Sequence, residues 1–355
     1  MSLEEMRKKI DAVDEKIVKL IAQRIQQSQA IGDEKQKSRK PIEDAKREGN
    51  VLAHIEALAR AENLDEKEIL SVYRQIIKLS KIVQGLTVAF QGEIGAYSEE
   101  AVFQYFGHSV TAKPSESFDS VFKLVEQGEA SFGVVPVENS LEGSISRVYD
   151  LLLNSNLQVC GELDLRIIHC LIANRGATLS TIKKVYSHPQ ALGQSQTFLN
   201  HLGVESISIY DTAGSVKMIK EQKMLDSAAV ASARAAEIYN MKILAREIED
   251  NPNNFTRFFI LSKTDSPPTG MDKTSIVFSV KHEPGALYDA IKEFADSKIN
   301  LTKIESRPTR QKAWEYNFYL DFEGHRQDKI VKDTLQRLEK HTLFLKVLGS
   351  YPKAM

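Results

Sequence analysis

At 355 residues the chain exceeds what one ordinary hydrophobic core accommodates, so more than one domain is expected. It is 42% hydrophobic and 27% charged, and 47 Lys and Arg against 48 Asp and Glu leave a formal net charge of -1. With both signs interleaved, that balance argues against nucleic acid or a membrane surface as a partner. Cys160 and Cys170 are the sole cysteines, too few for a disulfide framework or a thiolate metal site. No apolar run is long enough to span a bilayer and the first residues lack a signal-peptide core, so a cytoplasmic location is expected.

Residues 1–85 carry a purely helical pattern. Leu3, Met6, Ile10, Val13, Ile17 and Leu20 advance in steps of three and four, a narrow seam of coiled-coil period. The pattern runs to about Lys37, a helix on the order of 50 Å long. A unit of this size cannot bury so long a seam, so a second subunit is expected to cover it. Arg24 and Lys35 fall on or near the continuation of the seam, and Arg7 borders it.

A second helix opens near Pro41, with Asp44 and Glu48 one turn apart on its apolar face. A third starts at Asp65, with Glu68 as the partner in a capping-box variant. Ser80 and Gln84 occupy its apolar stripe of Ile69, Tyr73, Ile76, Ile77 and Val83. Polar groups at core positions are costly unless partnered. Two arrangements would satisfy them. Arg24 and Lys35 could pair with Asp44 and Glu48 in a buried ion network. A bound ligand carrying carboxylates, a hydroxyl and an ether oxygen would satisfy the whole set.

MRKKIDAVDEKIVKLIAQR, EKQKSRKPIEDAKRE and IIKLSKIVQ resemble the all-helical class of chorismate mutases. The resemblance implies substrate contacts at Arg7, Arg24, Lys35, Asp44, Glu48, Ser80 and Gln84. It also implies a homodimer with exchanged N-terminal helices, with further association left open, in which Arg7 reaches into the partner's site. The implied chemistry is an intramolecular Claisen rearrangement of chorismate to prephenate, needing no nucleophile, metal or cofactor. Such an enzyme holds a chair-like conformer and stabilises charge as the ether C–O bond breaks. The guanidinium forks of Arg7 and Arg24 suit two carboxylates. Lys35 and Gln84 would donate to the ether oxygen, and Glu48, Asp44 and Ser80 would hold the ring hydroxyl side.

After Leu86 short apolar runs alternate with helical segments, the signature of an α/β domain over residues 86–262. Gly92 and Gly95 do not complete a nucleotide-loop spacing, and no P-loop lysine follows. Polar side chains gather instead at strand ends, where open α/β sheets bind ligands. These segments resemble prephenate dehydratase. NFTRFFIL carries that family's essential threonine, Thr256, followed by Arg257 and Phe258. VENS (Glu138, Asn139, Ser140), SHPQA (Ser187, His188, Gln190) and DTA (Thr212, Ala213) match segments lining a cleft between two lobes. The implied reaction is loss of CO2 and hydroxide from prephenate to give phenylpyruvate. Aromatisation drives it, so the Thr256 hydroxyl is expected to assist the departing oxygen, with Arg257 a candidate carboxylate partner.

Residues 263–273 are polar, with a Pro-Pro pair, and form the expected linker. Beyond them strands and helices follow the order βαββαβ of a ferredoxin-like unit, residues 274–355. This unit resembles an ACT domain. PGALY (Gly285, Ala286, Leu287) and ESRP (Glu305, Ser306, Arg307, Pro308) look like the family's phenylalanine-responsive motifs. They imply L-phenylalanine as an allosteric inhibitor. The whole order of one all-α, one two-lobed α/β and one α+β domain resembles the bifunctional P-protein family. The alternatives are an arogenate-preferring dehydratase and a non-catalytic amino-acid sensor.

Overall fold

The first helix is set by its own opening residues. Ser2 and Glu5 form a capping box, in which the Ser2 hydroxyl accepts from the Glu5 amide and the Glu5 carboxylate accepts from the Ser2 amide at 2.7 Å. The structure, a computed structural model, describes residues 2–37, 45–82, 85–309 and 314–354. It divides into two units: residues 1–88 with 106–111, and residues 89–105 with 112–355.

In the first unit the helices are Leu3–Lys37, Ala45–Ala61 and Glu66–Ile82. The Asp65 carboxylate caps the third by accepting from the Glu68 amide at 3.0 Å. The seam of the first helix lies in the open: Leu3 is 66% exposed, Ile10 60%, Ile17 49% and Leu20 63%. Further along, the same helix turns Ser28 and Gly32 into buried positions. Its N-terminal half therefore carries an apolar stripe that the two 17-residue helices of its own chain leave uncovered.

Three sheets lie among the described residues from Thr87 onward. The first runs Thr111–Ser115, Thr87–Gln91, Phe132–Asn139, Phe255–Ser262, Gln158–Arg166, with Gly143–Ser144 folding back on Phe132–Asn139 as a hairpin. The second runs Lys242–Ala245, Cys170–Ala173, Ser227–Ala231, Lys184–Ser187, Glu205–Ser208. The chain crosses between these two lobes after Arg166 and returns before Phe255. The Ile167 amide donates to the Asn254 carbonyl at 2.8 Å and ties the crossings together.

The third sheet has the order Leu301–Pro308, Tyr316–Glu323, Asp272–Ser279, Phe344–Pro352, with helices Ala286–Asp296 and Lys329–Glu339 between strands. This is the βαββαβ order, and the protein is multidomain with all-α, two-lobed α/β and ferredoxin-like α+β parts. Strand side chains alternate between faces. Ile276, Phe278, Leu320 and Phe322 meet Phe294, Val331 and Leu338 of the helices. From the opposite face Val277, Tyr319, Leu348 and Tyr351 join Val135, Val137, Val159 and Phe259 of the first lobe in one core. The α/β and C-terminal regions thus share a core within one unit. Their backbones come so close that a Cβ at Gly349 would stand 2.1 Å from the Val159 carbonyl oxygen. The segment 263–273 is anchored too: the Asp272 carboxylate accepts from the Thr269 and Gly270 amides, and His325 Nε2 lies 3.0 Å from the Ser266 carbonyl.

Candidate active sites

In the helical unit Arg24 meets Ser80, and Glu48 meets Lys81, the next residue in sequence after Ser80. Arg24 Nη1 donates to the Ser80 hydroxyl, which in turn donates to the Ile76 carbonyl at 2.8 Å. Glu48 is held by Lys81 at 2.9 Å, both half-buried. Among the described residues the ion-pair partner of Glu48 is Lys81, a residue the sequence pattern did not single out. Arg7 is exposed, 17 residues before Arg24 and therefore roughly 25 Å away along the same helix. Asp44, Gln84 and the side chain of Lys35 lie outside the described residues.

In the second unit Thr256 stands opposite Asn139 in the pairing of Phe255–Ser262 with Phe132–Asn139. Asn139 Nδ2 donates to Thr256 Oγ1 at 3.0 Å and to Asn254 Oδ1 at 2.8 Å. Its other amide atom accepts from the backbone of Leu141 and Glu142, an Asx turn that shapes the hairpin tip. Ser140 accepts from the Phe255 amide and donates to the Asn253 carbonyl, both at 2.9 Å, fastening the hairpin to the returning strand. The hairpin faces the second lobe across an open cleft of about 440 Å³, lined by Asn139, Glu142, Ser144, His188, Gln190 and Gly193 among others. His188 caps the helix Pro189–Gly193, and Thr212 opens the helix Thr212–Glu221 behind an Asp211 cap.

Deeper in, a chain of hydrogen bonds leads away from Thr256. Asn254 Nδ2 donates to Gln194 Oε1 at 2.8 Å. His169 Nε2 lies 3.0 Å from the same oxygen, and His169 Nδ1 lies 2.8 Å from the Tyr97 hydroxyl. Burial pushes the His169 imidazole below its ordinary value. Gln194 Nε2 is buried and has no hydrogen-bond partner among the described residues. Gln194 closes the SHPQALGQ run and Asn254 opens NFTRFFIL, yet only the fold shows that they meet.

Other expected cleft residues are placed elsewhere. Arg257 is a correction: consecutive strand side chains leave on opposite faces, and its guanidinium binds Glu162, Asp321 at 2.6 Å and the Tyr351 hydroxyl at 3.0 Å. Burial disfavours that charge, but Asp321, Tyr351 and Glu162 outweigh it and raise the guanidinium's pKa. A cation so engaged on the C-terminal side is not a carboxylate partner in the cleft. Phe258 and the side chain of Ala213 are fully buried, and the Ser187 hydroxyl donates to the Val230 carbonyl at 2.6 Å. Glu138 also turns from the cleft, to Lys303 at 2.7 Å.

Residues 6–85 match the family Chorismate mutase type II, residues 88–266 Prephenate dehydratase, and residues 274–340 ACT domain. A protein of Stutzerimonas stutzeri described as "Bifunctional chorismate mutase/prephenate dehydratase" is 39% identical, over 99% of this chain and 98% of its own. The chain belongs to the bifunctional chorismate mutase/prephenate dehydratase family. Among solved structures, prephenate dehydratase in complex with L-Phe from Arthrobacter aurescens has a TM-score of 0.70 at 31% identity, covering 76% of this chain and 90% of that one. A quorum quenching acylase, GqqA, has the same TM-score at 34% identity, covering 75% of this chain and 97% of that one.

In this bifunctional family member the ACT motifs are divided between faces. Gly285, with φ of 90°, is the N-cap of the helix begun by Ala286 and Leu287. Its left-handed backbone is one that glycine adopts at no steric cost. On the edge strand, Ser306 and Pro308 are exposed, whereas Glu305 and Arg307 turn toward the dehydratase lobe. Ser144 donates to Glu305, and Arg307 Nη1 donates to the Ser146 hydroxyl at 2.7 Å. Among the described residues no helix is long and apolar enough to cross a membrane.

Proposed function

We propose that the helical unit converts chorismate to prephenate and that the cleft beside Thr256 converts prephenate to phenylpyruvate, under inhibition by L-phenylalanine. The observation that carries the dehydratase assignment is the bond from Asn139 Nδ2 to Thr256 Oγ1. Because the threonine oxygen accepts there, its own proton is left to point at a substrate. As the carboxylate departs as CO2, its electron pair enters the ring and expels the hydroxyl, which the Thr256 proton would assist. The unpartnered amide of Gln194 is suited to hold an oxygen of the same substrate.

In the mutase, Arg24 would bind a carboxylate while Ser80 fixes its fork, and Glu48, oriented by Lys81, would take the ring hydroxyl. Lys35 and Gln84 would donate to the ether oxygen, with Asp44 beside the ring. Arg7, roughly 25 Å from Arg24 along one helix, can serve the same kind of site only from another subunit. The exposed seam of Leu3, Ile10 and Ile17 supports a homodimer of exchanged helices. L-phenylalanine is assigned to the Gly285–Leu287 and Glu305–Pro308 motifs, in keeping with the L-Phe named in the Arthrobacter relative.

A coupled assay tests this reading. Purified protein given chorismate should accumulate prephenate and then phenylpyruvate, and L-phenylalanine should suppress the second product. Faster turnover of arogenate than of prephenate would transfer the second activity to the amino-acid substrate. No turnover of any of the three would leave only a sensor.

A further inference from the structure

Among the described residues, the cation that joins the dehydratase hairpin to the ACT edge strand in several directions at once is Lys303. It belongs to Leu301–Pro308, yet its side chain is only 11% exposed. Its ammonium binds Glu138 Oε2 at 2.7 Å and donates to Ser144 Oγ at 2.9 Å. Glu305 Oε2 lies 3.3 Å away, and the ammonium stands 5.4 Å from the centre of the Tyr149 ring. Glu138 and Ser144 are direct partners across the hairpin. Between them lie Asn139, which donates to Thr256, and the tip that lines the cleft; Ser144 is itself a lining residue.

We propose that Lys303 is a positioning residue for prephenate binding, an ACT-domain ammonium that staples the two arms of the cleft hairpin. The two-residue strand Gly143–Ser144 has little pairing of its own, so its register needs a tie from outside. The same edge strand holds the following helix Ser146–Asn154 at its start through Arg307 and Ser146. Lys346 of the strand at the opposite edge of that sheet, Phe344–Pro352, holds the other end, donating to the carbonyls of Leu152 and Leu153 at 2.9 and 2.8 Å. The hairpin that lines the cleft is therefore gripped by ACT side chains, and so are both ends of the helix that follows it. Removing the ammonium would leave Glu138 and Glu305 as like charges facing each other across the junction, and the hairpin would open. Lys303 touches no reacting atom; it acts through Asn139 and Ser144.

The inference rests on the dehydratase reading, and the full-length protein tests the two separately, because unmodified chain that turns over no prephenate defeats that reading rather than this one. With active protein, Lys303→Met should raise the KM for prephenate roughly tenfold, the worth of a charged hydrogen bond, with a smaller change in kcat. Chorismate mutase turnover should stay at its unmodified level, and Lys303→Arg should recover much of the lost affinity. Combining Lys303→Met with Ser144→Ala should cost no more than the worse single change. Unchanged KM and kcat in Lys303→Met would overturn the proposal. If Lys303→Met lowers the melting temperature and both activities together, Glu138→Gln and Ser144→Ala decide instead. Each removes one end of the staple with little change in volume, and an unchanged prephenate KM in both would overturn it equally.

Discussion

Thr256 and Arg257 are consecutive in one strand, and their side chains serve different domains: the threonine accepts from Asn139 beside the cleft, and the arginine binds Glu162 and Asp321 on the ACT side. Substitutions at the two should therefore fail differently. Thr256→Ala should lower prephenate turnover roughly a hundredfold or more while leaving mutase activity and melting temperature unchanged. Arg257→Met strands the buried Asp321 carboxylate and leaves Glu162 to Lys273 alone, and should cost about 3 kcal/mol or more of that unit's stability. Thermal unfolding and prephenate kinetics on both variants check this. A specific rise in prephenate KM with normal melting for Arg257→Met would return that residue to the cleft.

His169 gives a pH signature of stability. Burial holds its imidazole below the ordinary value of 6.5, so the folded state takes up a proton less readily than the unfolded chain. The unfolded state binds more protons below about pH 6.5, and stability then rises with pH across that window. The contribution is complete above the unfolded value and is lost as pH falls from there through the folded value. Melting temperature should accordingly drop between about pH 7 and 5, and His169→Gln should flatten that slope. Differential scanning measurements at matched ionic strength check it.

Domain types were readable from period alone. Steps of three and four marked the helices, alternating short runs the α/β lobes, and strand-helix order the ferredoxin-like sheet. The division of TRF between two faces was also implicit in the two-residue period of a strand, although residue identity suggested a single shared cleft. Long-range pairing was not readable. Nothing near Glu48 names Lys81, and nothing near Thr256 names Gln194, because those partners meet only after distant elements pack. Nothing in the strand pattern sets Lys303 apart, because the hairpin that buries it closes some 160 residues earlier in the chain.

Arg24 is held at the Ser80 hydroxyl, so its charge is presented in a fixed orientation. Arg24→Lys keeps the charge but loses the planar fork that matches a carboxylate. Mutase turnover should fall roughly a hundredfold, by analogy with removal of one transition-state donor, while prephenate turnover is retained. Lys81→Met should have a smaller effect, raising the KM for chorismate as Glu48 loses its orienting partner. Steady-state assays of each activity on the two variants check the order.

The exposed seam makes the last expectation the most direct test of assembly. Ile10 and Ile17 are 60% and 49% exposed, and each stands two helical turns from the other on one stripe. Apolar residues at coiled-coil spacing over so long a helix gain stability only when a second helix covers them. Ile10→Glu with Ile17→Glu would place charges in that contact, where desolvation costs several kcal/mol. Light scattering should then show the mass falling by half, with mutase activity lost because Arg7 no longer reaches a partner's site. Thr256 and its cleft lie in a different unit of the chain, so prephenate turnover should survive in the same preparation. A variant that keeps both its mass and its mutase activity would mean that the seam is not the dimer contact.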